Sequence, residues 1–209
     1  MEKAGAYMKI RISARKGIGI AIVIVGICVA AYPMFTDWRA QQAQEALLKQ
    51  LEQQNPAMES PIKGNADVSA TVGNSIPMMV LDIPKLKVHT AVVKGTGYGD
   101  LKNSPGWYPQ TALPGAGNTA IAGHRTMYGA WFHDLNLLKK GDAISLDYKG
   151  TLLTYNVEKV FVVANNDWSV IDPTDKPVLT LTTCHPIGSA KQRLIVRAAL
   201  VQKWTGGKN

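Results

Sequence analysis

The chain has 209 residues, 46% of them hydrophobic, and 23 Lys and Arg against 15 Asp and Glu give a net charge of +8. Lys3, Lys9, Arg11, Arg15 and Lys16 against Glu2 supply +4 of that charge. The remainder is mildly basic and lacks a dense Lys/Arg stripe with interleaved aromatics, which argues against nucleic acid as a partner. Setting aside an apolar run and a polar stalk leaves residues 76–204, enough for one sizeable core and not for two.

Residues 1–16 form a basic tail. Residues 17–35 carry no charge and are rich in Ile, Val and Ala, a run that at helical rise spans roughly 28 Å, about one hydrocarbon core. The run reads as a single transmembrane helix. Five basic residues precede it and only Arg39 follows closely, which puts the N-terminus in the cytoplasm and everything after Asp37 outside the cell. A cleaved signal peptide is the competing reading, because Val29-Ala-Ala31 resembles a cleavage site. The length of the apolar run favours retention. Cys28 follows Ile27, where lipid attachment wants a small side chain, so it reads as an apolar helix residue.

Residues 36–75 read as a juxtamembrane helix and a flexible linker. Ala43, Leu47, Leu48 and Leu51 fall at helical spacing, and 55–75 turns to Pro, Gly, Ser, Asn and Asp. From residue 76 short β-rich runs alternate with Gly, Pro and Asn. Strands are expected over 78–83, 89–93, 119–123, 143–148, 152–163, 178–183 and 194–201. Seven or eight short strands in this length imply a closed or nearly closed β-barrel. Residues 130–138, ended by Lys139-Lys140-Gly141, are expected to form one short helix whose Trp131, Phe132, Leu135 and Leu138 pack on the barrel. A polar tail, 205–209, closes the chain.

Cys184 is the only cysteine outside the apolar run, in Val178-Leu-Thr-Leu-Thr-Thr-Cys184-His-Pro186. A lone thiol cannot close an internal disulfide, so it is either buried filler or a reagent. It stands where an apolar strand runs out into a loop containing Pro and Gly, a place for exposure. Arg193 opens the next apolar strand, and His124 closes an earlier one in Thr119-Ala-Ile-Ala-Gly-His124-Arg125. A thiol, an imidazole and a guanidinium at strand ends can act as nucleophile, proton shuttle and oxyanion partner. Arg193 is preferred to Arg197 because a hairpin through 185–192 brings Arg193 opposite Cys184, whereas Arg197 lies about 13 Å farther along the strand. Arg125 alternates to the opposite face and reads as a loop or structural arginine. His185, directly after the cysteine, could shape the rim of the site. No Cys or His pair has zinc-site spacing and the carboxylates form no calcium-loop pattern, so neither metal nor cofactor is expected.

These residues, with Gly106-Trp-Tyr-Pro109, Ala112-Leu-Pro-Gly115, Ala122-Gly-His-Arg125, Tyr128-Gly129, Gly141-Asp142 and Cys184-His-Pro186 followed by Ser189-Ala190, resemble the sortases, cysteine transpeptidases of Gram-positive surfaces. They look most like the class E sortases of actinobacteria. The resemblance implies a mainly β fold, an eight-stranded closed barrel with short helices, preceded by one transmembrane helix. It further implies a domain on the outer face of the membrane that cleaves an LPxTG-like sorting signal between Thr and Gly and joins the protein to an amine of a cell-wall precursor. Partners are then surface proteins bearing C-terminal sorting signals and that lipid II-like amine. Cys184 would be the nucleophile, His124 general acid and then base, and Arg193 the oxyanion and substrate partner. Tyr128, Thr183 and His185 are the substrate-binding candidates. Class E resemblance implies alanine in place of proline in the signal; the Tyr128 phenol could accept the N–H that alanine restores, or the ring could simply pack against Trp131 or the barrel wall.

Papain-like enzymes place Cys before His, opposite to the order here, and the Ser-His-Gly-Cys run of L,D-transpeptidases is absent. A noncatalytic wall-binding β-domain would leave the coincidence of His, Cys and Arg unexplained. A pilus-polymerising sortase commonly carries an Asp-Pro-aromatic lid, and the linker has none, which favours the wall-anchoring role.

Overall fold

The computed structural model describes residues 14–54 and 77–205. Most of the expected basic tail, the linker over 55–75 and residues 206–209 lie outside the described residues. The chain divides into two compact units, 1–35 and 36–209. In the first, the apolar part of helix α1 (Ala14–Gln54) exposes its side chains from Gly19 to Phe35. It is long and apolar enough to cross a membrane.

The second unit is built on a closed barrel. Its strands are β1 (Pro77–Ile83), β2 (Val88–Lys94), β3 (Gly106–Trp107), β4 (Asn118–Ala122), β5 (Ala143–Tyr148), β6 (Thr151–Ala164), β7 (Val178–His185) and β8 (Gln192–Thr205). They close in the order β1-β2-β3-β4-β7-β8-β6-β5. All seven strands expected from the sequence are present, several of them one or more residues longer. The eighth, β3, has only two residues, too few for a period-two pattern, yet it bridges β2 in parallel and β4 antiparallel. Closure leaves no free edge.

Alternation sets the interior. Met79, Leu81 and Ile83 of β1, Ile144 and Leu146 of β5, Leu179 and Leu181 of β7, and Leu194, Val196 and Ala198 of β8 meet in one core. Each large aliphatic side chain buried there contributes about 1.5–3 kcal/mol. The expected helix over 130–138 is not α-helical. The segment folds as successive turns and one 3-10 turn, Leu135–Leu137, with bonds such as Leu137 N–H to the Asp134 carbonyl and Leu138 N–H to the Leu135 carbonyl. Ala130 at φ 43 breaks the helical path at its start. The packing expectation nevertheless holds: Phe132, Leu135 and Leu138 are buried in the core, and Trp131 packs against it.

A smaller cluster lies outside the barrel wall. Leu47 and Leu51 of α1 pack against Val80, Ala91 and Val93, with Leu48 alongside, so the helical apolar spacing read from the sequence is a docking face. Gln44 fixes this contact. Its carbonyl accepts the Ala91 N–H at 2.8 Å, and its amide donates to the carbonyls of Asn103 at 2.9 Å and Ala91 at 3.4 Å. Residues 36–54 therefore group with the barrel and not with the apolar run.

Candidate active site

Strand register brings three of the singled-out residues together. β4 and β7 are parallel neighbours with Ala122 opposite Thr182, so two residues further on His124 and Cys184 are level. The Gly123 N–H donating to the Thr182 carbonyl at 3.1 Å carries that alignment past the end of β4. On the other side of β7, Cys184 pairs directly with Arg193 of β8, while Arg197 pairs with Thr180. Alternation then puts Thr182 and Cys184 on the outer face of the wall, since Leu179 and Leu181 point into the core.

The segment between β6 and β7 covers that face and makes one wall of a groove lined by Tyr108, Trp168, Val170, Thr182, Arg193 and Ile195. Asn118 holds this wall: its side-chain amide donates to the Val170 and Asp172 carbonyls at 3.1 and 2.8 Å, and its oxygen accepts the Thr180 hydroxyl at 2.7 Å. Arg197 donates to the same Val170 carbonyl at 2.7 Å, which makes it a strut of the wall. Opposite, Tyr108 meets Trp168 edge to face at 6.4 Å and lies 3.4 Å from the Thr182 hydroxyl.

His124 is half-buried, and its Nε2, itself shielded from solvent, has no hydrogen-bond partner among the described residues. Burial pushes its pKa below the ordinary 6.5 by penalising the imidazolium. Cys184 is partly exposed. No hydrogen bond joins Cys184 to His124 among the described residues; such contacts are often long before substrate binds. Arg193 Nη1 donates to the carbonyls of Ala190 and Gln192 at 3.0 and 3.1 Å, which leaves the Nε–Nη2 edge for a ligand.

Two glycines admit the His124 loop. A side chain at Gly123 would meet the Phe132 ring at 2.6 Å, and one at Gly129, which has φ 82, would meet the Trp131 ring at 2.8 Å. Tyr128 stands between them with φ 54. Its ring lies 5.3 Å from that of His124, tilted by 49°. Its hydroxyl is 3.1 Å from that of Tyr98, near the helical turn α2 (Tyr98–Leu101). The bond to Tyr128 and the nearby Lys102 charge lower the pKa of the exposed Tyr98.

Thr183 faces inward. It is 3% exposed and its hydroxyl donates to the Gly123 carbonyl at 2.8 Å, tying the β7 end to the His124 loop instead of facing the groove. The hydroxyl on the groove side is that of Thr182. His185 is held at Nδ1 by Arg125 Nη1 at 3.0 Å, which makes Nδ1 the acceptor and leaves the ring proton on Nε2.

Arg125 is the residue whose importance the sequence most understated. It is 4% exposed and also donates to the carbonyls of Cys184 at 3.1 Å and His133 at 3.2 Å and to the side-chain oxygen of Asn136 at 2.7 Å. One guanidinium thus joins the segment after His124 to the backbone of Cys184. Because β4 ends at Ala122, alternation no longer fixes where residue 125 points. Trp168, a large aromatic in the polar run Asn165-Asn-Asp-Trp168, carried a readable signal as a groove residue, as an exposed ring among turn residues.

Residues 81–201 match the family model described as the Sortase domain. The chain is 29% identical to Sortase D of Bacillus subtilis over 194 residues, 87% of this chain and 96% of that one. The solved structure of the Clostridium perfringens Sortase D5 transpeptidase aligns with a TM-score of 0.61 at 26% identity, covering 78% of this chain and 99% of that one. Sortase E from Streptomyces avermitilis aligns with a TM-score of 0.57 at 36% identity, covering 64% and 94%.

Proposed function

The chain belongs to the sortase family and is a cysteine transpeptidase, and on that premise we propose that Cys184, His124 and Arg193 are its catalytic residues and that it anchors exported proteins to the cell wall. The observation that carries this reading is the register across β4, β7 and β8, which brings one thiol, one imidazole and one guanidinium level with each other at neighbouring strand ends, with the guanidinium also lining the groove.

The Cys184 thiolate attacks the carbonyl carbon of Thr in a sorting signal, and the negative charge that forms on oxygen meets the Arg193 guanidinium. The C–N bond to Gly breaks as the His124 imidazolium gives its proton to the departing amine, leaving a thioester on Cys184. An incoming amine attacks that thioester and loses a proton to His124. The thiolate departs, and a new amide bond has replaced the old one. No cofactor enters either half. His124 gives one proton and takes one back in each cycle.

The incoming amine is that of a cell-wall precursor peptide, and the enzyme works as a class E housekeeping sortase on LAxTG-type signals. The 36% identity to a sortase E and the position of Tyr128 beside His124 support this narrower assignment. The apolar helix holds the enzyme in the membrane with the basic N-terminus inside and the barrel outside. The test is competition between LAxTG and LPxTG peptides with an added amine. Faster amide product from LAxTG supports the class E role. A preference for LPxTG withdraws that role, and absence of amide product from both withdraws sorting-signal transpeptidation.

A further inference from the structure

Tyr128, Gly129 and Ala130 are all left-handed, with φ of 54, 82 and 43. Only glycine adopts this conformation without cost, so a turn with side-chain-bearing residues on both sides of Gly129 must be held by its surroundings. Such turns gather backbone N–H groups that suit an anion. The anion present is Asp37: its Oδ1 accepts the Gly129 N–H at 2.9 Å across a separation of 92 residues. The backbone bonds nearby, Ala130 N–H to Met127, His133 N–H to Ala130 and Phe132 N–H to His124, close the loop on itself, and the Tyr128 hydroxyl meets that of Tyr98; the Asp37 carboxylate is the contact that reaches the turn's own backbone from α1. Asp37 is itself well placed to do so, because Gln44, two helical turns on, is bonded to Ala91 and Asn103, and Leu47 and Leu51 are docked beyond it.

We propose that Asp37 is a positioning residue of the active site: from α1 its carboxylate fixes the left-handed Tyr128–Ala130 turn and thereby holds the Tyr128 ring against His124. The proposal rests on the reading of His124 and Tyr128 given above. Its consequence is that the barrel alone is an incomplete enzyme. The part of α1 that follows the apolar run supplies part of the active-site support, and the substrate-facing side of the His124 loop depends on it.

The test uses the full chain in detergent micelles, with Asp37→Ala, which removes the acceptor, and Asp37→Asn, which keeps an oxygen in its place. With a sorting-signal peptide, Asp37→Ala should raise KM about tenfold with kcat within about twofold, the size expected for one charged hydrogen bond. Asp37→Asn should recover most of that loss. In parallel, the Gly129 amide proton should move upfield and exchange faster in Asp37→Ala, and the His124 ring protons should shift as the Tyr128 ring moves. Both signals should stay near their wild-type positions in Asp37→Asn. The same resonances are read in a Cys184→Ala background, so the contact is tested whether or not the proposed chemistry stands. An unchanged KM in Asp37→Ala, unchanged Gly129 and His124 signals, or an Asp37→Asn as impaired as Asp37→Ala would each overturn the proposal.

Discussion

Cys184 and Arg193 sit in a hydrogen-bonded ladder, paired across β7 and β8, whereas His124 lies two residues beyond the end of β4, outside any ladder. The first pair is placed by the same backbone bonds that close the barrel, and moving it means disturbing the sheet. The second side depends on two backbone bonds, Gly123 to Thr182 and Phe132 to His124, and on a few individual side-chain contacts: Arg125 to Cys184, Thr183 to Gly123, Asp37 to Gly129 and Tyr98 to Tyr128. A ladder distributes its stability over many bonds, while a side-chain-held turn can lose its geometry with one substitution. The ladder side should therefore tolerate neighbouring changes, and the His124 side should show large effects from residues that touch no substrate.

The strongest way to break the comparison is at the reacting groups, where both sides should matter equally. Cys184→Ala and His124→Ala should each lower transpeptidation by at least ~10³-fold. Cys184→Ala should leave the thermal midpoint nearly unchanged, because the side chain is small and partly exposed. Amide product formed at a wild-type rate by either variant would remove that residue from the mechanism.

On the ladder side, Arg193→Lys should cost about 10²-fold in kcat, since an ammonium cannot reproduce the planar fork. Arg197→Lys should act mainly by loosening the groove wall at Val170, with a smaller kinetic effect. If Arg197→Lys proves the more damaging, the partner of the oxyanion lies four residues along β8 from where the register puts it.

Arg125→Met probes the other side without touching substrate. It leaves the Cys184 and His133 carbonyls without their donor, so chemical denaturation should report a loss of about 2–4 kcal/mol. Turnover should fall about tenfold at temperatures where the variant remains folded. Full activity in a destabilised variant would make Arg125 a fold residue only.

The pH dependence separates the two sides again. The kcat/KM profile should be a bell whose two values belong to the Cys184–His124 pair, and burial of His124 puts the acid limb below pH 6.5. A rate that rises to a plateau and never falls would count against His124 as an acid. Stability carries the same signature. The folded pKa of His124 lies below its unfolded value, so its neutral form contributes fully above about pH 6.5, and that contribution is lost as pH falls towards the folded pKa. His124→Gln should flatten this acid-side slope in thermal unfolding.

The smallest expected effect is at Tyr128. Tyr128→Phe keeps the ring beside His124 and removes the hydroxyl, so the preference for LAxTG over LPxTG should narrow by the worth of one hydrogen bond, about 0.5–1.5 kcal/mol, or roughly two- to twelvefold. Equal discrimination in the two proteins would confine Tyr128 to packing against His124 and Tyr98.

The same division explains what could be read from the sequence. Strands with alternating apolar residues announced themselves, and the hairpin length from Cys184 to Arg193 gave a pairing that the register reproduces. Two-residue β3 carries no periodicity, so it was invisible. Beyond the strand ends, alternation lost its meaning: Arg125 turned under the Cys184 loop, and the segment over 130–138 became turns because Ala130 enters it left-handed. The docking of Asp37 and Gln44 joins positions far apart in sequence by single side chains, and no local pattern encodes such a contact.

The central claim, that Cys184 forms an acyl bond with substrate while level with His124, is tested most directly by intact-mass and peptide-mapping spectrometry of the full chain incubated with an LAxTG peptide and no added amine. The account predicts an adduct equal in mass to the peptide cut after Thr, less one water, located on the fragment containing Cys184 and lost when an amine is supplied. A trapped acyl group on any other residue, or cleavage at that bond by a Cys184→Ala chain, would contradict it.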